Sequence, residues 1–298
     1  MASADSPQDR PVIAGVDRGP HQDDVVRFAA REAALRRRPL LIAHAIDLPL
    51  PGASPSDQEG SGSAAEAGAR LVDHYEQLAR KESPSLSVAG ELHIGHAAAT
   101  PIERSADAEM IVVGHRGGGG FPRLPLGSVS WQVATHAECP VIVVRPDGTE
   151  DLPDNRVVAG VDTDEASLQA LDVAYEEAAL RDARLDIVHC AVHIATSPAA
   201  AVTTMPVDFP VPRGGPQEFF DEELAKRRER YPDVEANFCM RHVPPAPQLV
   251  EASGNACLLV VGSRRRTGVR RFLLGSVSGE VLHTAHCPVA VVPVHGDA

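Results

Sequence analysis

The first regular pattern in the chain is residues 12–17, VIAGVD, an apolar run closed by a single acid. Short β-branched apolar runs bounded by polar residues predict buried strands. Runs at 40–46, 86–94, 109–114 and 140–145 predict four more. Between them the apolar spacing becomes helical. Residues 21–37 place Val26, Ala29, Ala30 and Ala33 on one face, and 65–82, 100–107 and 127–137 predict three further helices. A helix over about 165–181 spaces Leu168, Leu171, Tyr175 and Ala178 at i, i+3, i+7 and i+10. Strands alternating with helices build βαβ units on a parallel sheet, and right-handed crossovers put helices on both faces.

The pattern is written twice. Residues 12–17 match 157–162 and 41–46 match 186–191, both at an offset of 145. Residues 111–114 match 259–262, 127–130 match 275–278, and 139–141 match 287–289, all at an offset of 148. A constant offset that changes once means a duplicated domain with one small length change. The change is expected in the variable middles, 47–64 and 192–216, which are rich in Pro, Gly and Ser and read as long loops. Residues 146–154 read as a short polar linker. The expected fold class is α/β: two tandem, doubly wound, five-stranded parallel-sheet (Rossmann-like) domains with strand order 3-2-1-4-5. Their expected extents are 1–149 and 154–298.

Composition narrows the partners. Aromatics are only 4% of the 298 residues, so the cores must be built from Val, Leu, Ile and Ala. The net charge of −13 is shared evenly, with 14 basic and 20 acidic side chains in residues 1–150 and 14 and 21 in the rest. Each half repels a polyanion at long range, which argues against nucleic acid as a partner. No stretch approaches the roughly 18 apolar residues that span a membrane. The polar start, MASADSPQDR, is not expected to be a signal peptide. Five cysteines with no CxxC pair read as reduced, mostly buried thiols, and the chain reads as cytoplasmic.

The candidate chemistry lies in 114-GHRGGGGFPRLPLGSVS-130, directly after the fourth strand. In an open parallel sheet, ligands bind beyond the carboxyl ends of the strands where the order reverses. Order 3-2-1-4-5 puts that point between the first strand, ending at Asp17, and the fourth, ending at Gly114. Gly114, Gly117 and Gly127 allow backbone N–H groups to approach a ligand closely. Ser128 stands at the start of the next helix, where unpaired N–H groups favour anions, and Ser130 adds a hydroxyl. Successive N–H groups can hold phosphate without the usual lysine. The Asp17 carboxylate would repel phosphate, so it is expected to face a base or sugar. A single glycine loop reads more simply as a flexible turn, but matched copies in both halves weigh against that.

These residues resemble the universal stress protein family in its tandem form. That family's nucleotide signature is G-x2-G-x9-G-[ST], and Gly114, Gly117, Gly127 and Ser128 match its fixed positions and spacing. Its acidic residue after the first strand matches Asp17. The resemblance implies an ATP site, with adenine near Asp17 and Ala43 and phosphates on Gly117, Gly127, Ser128 and Ser130. His115 and Val129 stand beside these, and any Mg would ride on the phosphates. In the second half Asp162, Gly262, Gly275, Ser276, Val277 and Ser278 are in register. There the second glycine is replaced by Arg265, which either fills the phosphate pocket or swings out to pair with phosphates; weakened or altered binding is expected. The resemblance also implies pairing through the fifth strands, expected along 140–145 and 288–294, and a homodimer of tandem chains.

Other features carry less. His44 and His189 read as buried, hydrogen-bonded histidines, Cys139 and Cys287 as packing, and 35-LRRR-38 and 226-KRRER-230 as solvated helix faces and ends. No nucleophile elbow, HExxH or Walker lysine is present, so no enzyme is expected beyond slow incidental hydrolysis. The expected function is ATP-dependent regulation in a stress response, through an unidentified protein partner. The alternative is a nucleotide-independent interaction protein with a decayed second site.

Overall fold

The computed structural model describes residues 10–46, 55–118, 126–145, 155–190, 215–263 and 274–294, with backbone alone over 55–63. Strand β1 (Val12–Val16) leads into α1 (Gln22–Arg36), β2 (Leu40–Ile46), α2 (Pro55–Glu82), β3 (Val88–Ile94), α3 (Ala99–Arg104), β4 (Met110–Gly114), α4 (Ser128–His136) and β5 (Val141–Val144). The second half repeats this as β6 (Arg156–Val161), α5 (Glu165–Arg181), β7 (Arg184–Cys190), α6 (Gly215–Arg230), β8 (Ala236–Arg241), α7 (Pro245–Ser253), β9 (Leu258–Gly262), α8 (Ser276–Thr284) and β10 (Val289–Val292).

The strands form one ten-stranded sheet in the order β3-β2-β1-β4-β5-β10-β9-β6-β7-β8. Each half has the expected 3-2-1-4-5 order with parallel neighbours. The halves meet where β5 and β10 pair antiparallel, with Ile142 opposite Ala290. These two residues hold the same place in their halves, so a local two-fold axis passes between them. The central strands are buried on both faces, which explains their unbroken apolar runs. Without this pairing, VIVV and VAVV would be exposed apolar edges prone to aggregation.

One departure from the sequence reading has a physical cause. Helix α2 begins at Pro55, within a segment expected to be loop. Proline is tolerated in the first helical turn because its missing N–H would have no partner there. The one change of offset falls between the ends of β2 and β7 and the ends of α2 and α6, an interval that contains the expected variable middle. Residues 47–54, 119–125, 146–154, 191–214 and 264–273 lie outside the described residues, and Arg265 lies with them.

The arginine runs also differ from expectation. Arg36 is buried at the crossing of α1 and α5, where Glu32, Arg36, Glu177 and Arg181 form a closed ring of ion pairs. Glu32 and Glu177 occupy equivalent positions, as do Arg36 and Arg181, so the ring straddles the same two-fold axis. Burial alone would raise the Glu177 carboxyl, but the Arg181 and Arg36 charges outweigh it and hold it below its ordinary value. Arg227 is buried too, pairing with Asp172 at 2.8 Å and Glu223 at 2.8 Å. Alternating helical charges read as solvated; what the pattern lacked was the partner from another helix.

Candidate functional site

The end of β1 and the end of β4 are neighbours in the sheet, with Gly15 beside Val113. The turn after β1 and the glycine loop after β4 therefore rise side by side. Between them and the start of α4 lies a cleft of about 420 Å³, lined by Asp17, Ala43, Gly114, Gly117, Gly127, Ser128, Val129 and Ser130 among others. Helix α4 starts at Ser128 with Gly127 as its N-cap in extended conformation (φ −72°, ψ 149°). The first N–H groups of a helix have no intrahelical partner, and those of α4 open at the cleft.

The glycines are required by close approach. A Cβ at Gly117 would sit 2.0 Å from Asp17 Oδ2, and one at Gly19 would sit 2.9 Å from the Gly117 carbonyl carbon and the Gly118 nitrogen. The Asp17 carboxylate fills this junction: it accepts from Gly19 N–H (2.7 Å) and Gly118 N–H (2.8 Å). The sequence reading had set it across the cleft, away from the loop. Instead it holds the loop, because two backbone donors converge on it.

Two further side chains frame the turn. Gln22 Oε1 accepts from Asp17 N–H and its Nε2 donates to the Arg116 carbonyl, both at 3.4 Å. Tyr75 Oη donates to the Asp17 carbonyl at 3.4 Å, and burial with the nearby Asp23 and Asp17 charges pushes its hydroxyl up to about 12.

The second half repeats the position of the cleft but not its walls. A cleft of about 610 Å³ is lined by Asp162, Asp164, Gly262, Gly275, Ser276, Val277 and Ser278 among others. Here Thr163 N–H donates to Asp162 Oδ1 (2.9 Å), and Asp164 caps α5 by accepting from Ser167 N–H (3.0 Å).

The model of the universal stress protein family matches residues 10–145 and again 155–293. The chain belongs to the universal stress protein family. A universal stress protein of Mycobacterium bovis is 35% identical over 294 residues, covering 94% of this chain and 96% of its own. One from Mycobacterium tuberculosis is 34% identical over 294 residues, covering 94% and 95%. The crystal structure of a universal stress protein from Archaeoglobus fulgidus superposes with TM-score 0.70 at 18% identity and covers 98% of both chains, a likeness of fold.

Within this family fold the expected residues separate by role. Ser130 Oγ donates to the Gly114 carbonyl at 2.6 Å, and Ser278 Oγ to the Gly262 carbonyl at 2.6 Å. Both hydroxyl protons are committed to the strand ends, so neither is left for a phosphate as the sequence reading had it. His115 does not line the cleft; its carbonyl accepts from Gly127 N–H (2.7 Å) and its N–H donates to the Val144 carbonyl (2.9 Å).

His44 and His189 are buried, each with Nδ1 on the carbonyl that ends the first strand of its half, Val16 (2.8 Å) and Val161 (3.0 Å). A carbonyl only accepts, so Nδ1 carries the proton. Burial pushes the Cys139 and Cys287 thiols up to about 12, as packing cysteines require. Sequence reasoning missed Gln22, Gly19 and Gly118. Gln22 and Ser167, polar residues at equivalent helix starts, were the available signal for the first.

Among the described residues no helix is long and apolar enough to cross a membrane, and no group of three or more His, Cys, Asp or Glu could hold a metal ion. All five cysteines are free.

Proposed function

We propose that the first cleft binds ATP and that its occupancy regulates an unidentified protein partner in a stress response in the cytoplasm. The observation that carries this reading is the junction of Asp17, the glycine loop and the start of α4 around one cleft. Its volume of about 420 Å³ falls within the roughly 300–1,000 Å³ of small-molecule sites. Ala43 takes the nucleoside end, beside the loop that Asp17 holds in place. The N–H groups of Gly117, Ser128 and Val129 take the phosphates, with Gly127 shaping the turn, where the helix dipole favours negative charge. Mg, if present, sits on the phosphates. Two chains associate as a homodimer.

The engagement of two polar groups supports binding rather than turnover. His44 Nδ1 is held by the Val16 carbonyl, and the Asp17 carboxylate by two backbone donors. The test is to release the nucleotide from purified protein, identify it by mass, and then follow added ATP. Bound ATP with no multiple turnover supports the reading. Protein that carries no nucleotide and takes up no ATP refutes it in favour of a nucleotide-independent interaction protein, and rapid turnover refutes it in favour of an ATPase.

A further inference from the structure

We propose that Gly19 is a positioning residue of the nucleotide cleft: with Gly117 and Gly118 it forms a turn-to-loop clasp whose three glycines are all replaced in the second half. This inference rests on the ATP reading of the first cleft.

Three glycines meet at one contact in the first half. A Cβ on Gly19 would lie 2.9 Å from loop backbone atoms, one on Gly117 would lie 2.0 Å from Asp17 Oδ2, and one on Gly118 would lie 3.1 Å from the Gly19 nitrogen. The first two approaches are closer than a side chain permits, and the Gly19 obstacle is backbone, which cannot rotate away. Asp17 closes the contact by accepting one N–H from the turn and one from the loop. The clasp thus fixes the loop against the β1–α1 turn and sets the height of the cleft wall above the start of α4.

Each of the three glycines is replaced in the second half. Gly19 corresponds to Asp164, Gly117 to Arg265 and Gly118 to Arg266. Positions 265 and 266 lie outside the described residues; in the sequence, two arginines stand there in place of two glycines. Asp164 is described, and its side chain caps α5, which begins at the next residue; α1 begins only at Gln22. The turn after β6 is therefore shorter as well as bulkier. Asp162 accepts from Thr163 N–H in its own turn. In sequence, the turn side and the loop side therefore both differ between the halves. Reversing the loop side alone leaves the turn side obstructed.

The experiment is calorimetric titration of the full chain with ATP, with melting curves to confirm folding. Wild type is expected to bind one ATP. Gly19→Asp should weaken that site at least tenfold, and the milder Gly19→Ala several-fold. Arg265→Gly alone should leave one site, whereas Asp164→Gly with Arg265→Gly and Arg266→Gly should give two. Hydrogen exchange of the Gly118 amide should accelerate in Gly19→Asp. The clasp is overturned if Gly19→Asp binds within twofold of wild type, if Arg265→Gly alone adds a second site, or if wild type already binds two. Unchanged Gly118 exchange in Gly19→Asp overturns it by a readout that needs no nucleotide. Wild type that binds no ATP, with Gly118 exchange still accelerated in Gly19→Asp, overturns the nucleotide reading and with it the proposed positioning role, while the clasp remains as geometry.

Discussion

Replacing Arg181 by Met tests the buried ring at the α1–α5 crossing. The change removes one of two cations that serve Glu32 and Glu177, whose side chains are 3% and 2% exposed. Arg36 alone would then face both carboxylates. Breaking a buried pair by removing one partner costs about 3–5 kcal/mol, because a charge is left uncompensated in low dielectric. At roughly 2–4 °C per kcal/mol for a domain of this class, the melting temperature should fall by about 6–20 °C. The control is Arg31→Met, which breaks the exposed Arg31–Glu82 pair (2.7 Å) and should cost less than about 1 kcal/mol. Replacing all four ring residues by Leu and Met should restore most of the loss, since a well-packed apolar crossing avoids the desolvation. Differential scanning calorimetry at low and high salt reads all three, and the Arg181→Met loss should persist in high salt. A fall no larger than that of the control would show that the ring is not a buried electrostatic unit.

Acid should act through the same ring. The folded Glu177 carboxyl lies below its unfolded value of 4.5, so its contribution is complete above that pH and is lost as pH falls below it; a Glu177→Gln variant that keeps the full wild-type slope below pH 4.5 would refute this. Cys139 and Cys287, with thiols near 12, should resist iodoacetamide at pH 8 in the folded protein and react only on denaturation, as mass spectrometry would show. Ser130→Ala should lower stability by about 1–3 kcal/mol through the orphaned Gly114 carbonyl, with Ser278→Ala alike; lost ATP affinity at unchanged stability would instead make Ser130 a ligand group. Trp131, the one tryptophan, stacks on His283 at 5.5 Å, and burial with the Arg145 charge lowers the His283 pKa, so quenching by imidazolium should have its midpoint below pH 6.5 and vanish in His283→Gln.

Much of the frame was legible because its causes are local. Parallel strands buried on both faces must be runs such as IVV and VIVV, and the offset between matching runs located the duplication and its one length change. The β5–β10 seam was also readable, since two apolar fifth strands need a partner. What could not be read depends on contacts between segments far apart in sequence. Glu32 and Arg36 look like an ordinary exposed i,i+4 pair until α5 brings Glu177 and Arg181 against them. Asp17 looked like a group facing a base until the loop supplied Gly118 N–H, about a hundred residues away. Pro55 read as a loop residue because the preference of proline for first turns is silent about where a helix begins.

The two halves also show which repeated residues carry information about a ligand. Ser130 and Ser278 make the same bond to the first glycine's carbonyl, and His44 and His189 make the same bond to the end of the first strand. GSVS, the most conspicuous repeat in the sequence, thus owes its second serine to the strand–helix joint, which any copy of this fold would need whether or not it held a nucleotide. Its presence in the second half is therefore weak support for a second ATP site. The glycines of the clasp differ. Gly19, Gly117 and Gly118 touch one another and the Asp17 carboxylate, and nothing in the strand–helix frame demands glycine there. A fold that keeps these joints and changes this contact has kept the frame and altered the cleft. The case for nucleotide in the first half accordingly rests on the clasp, and the same contact argues against equal binding in the second.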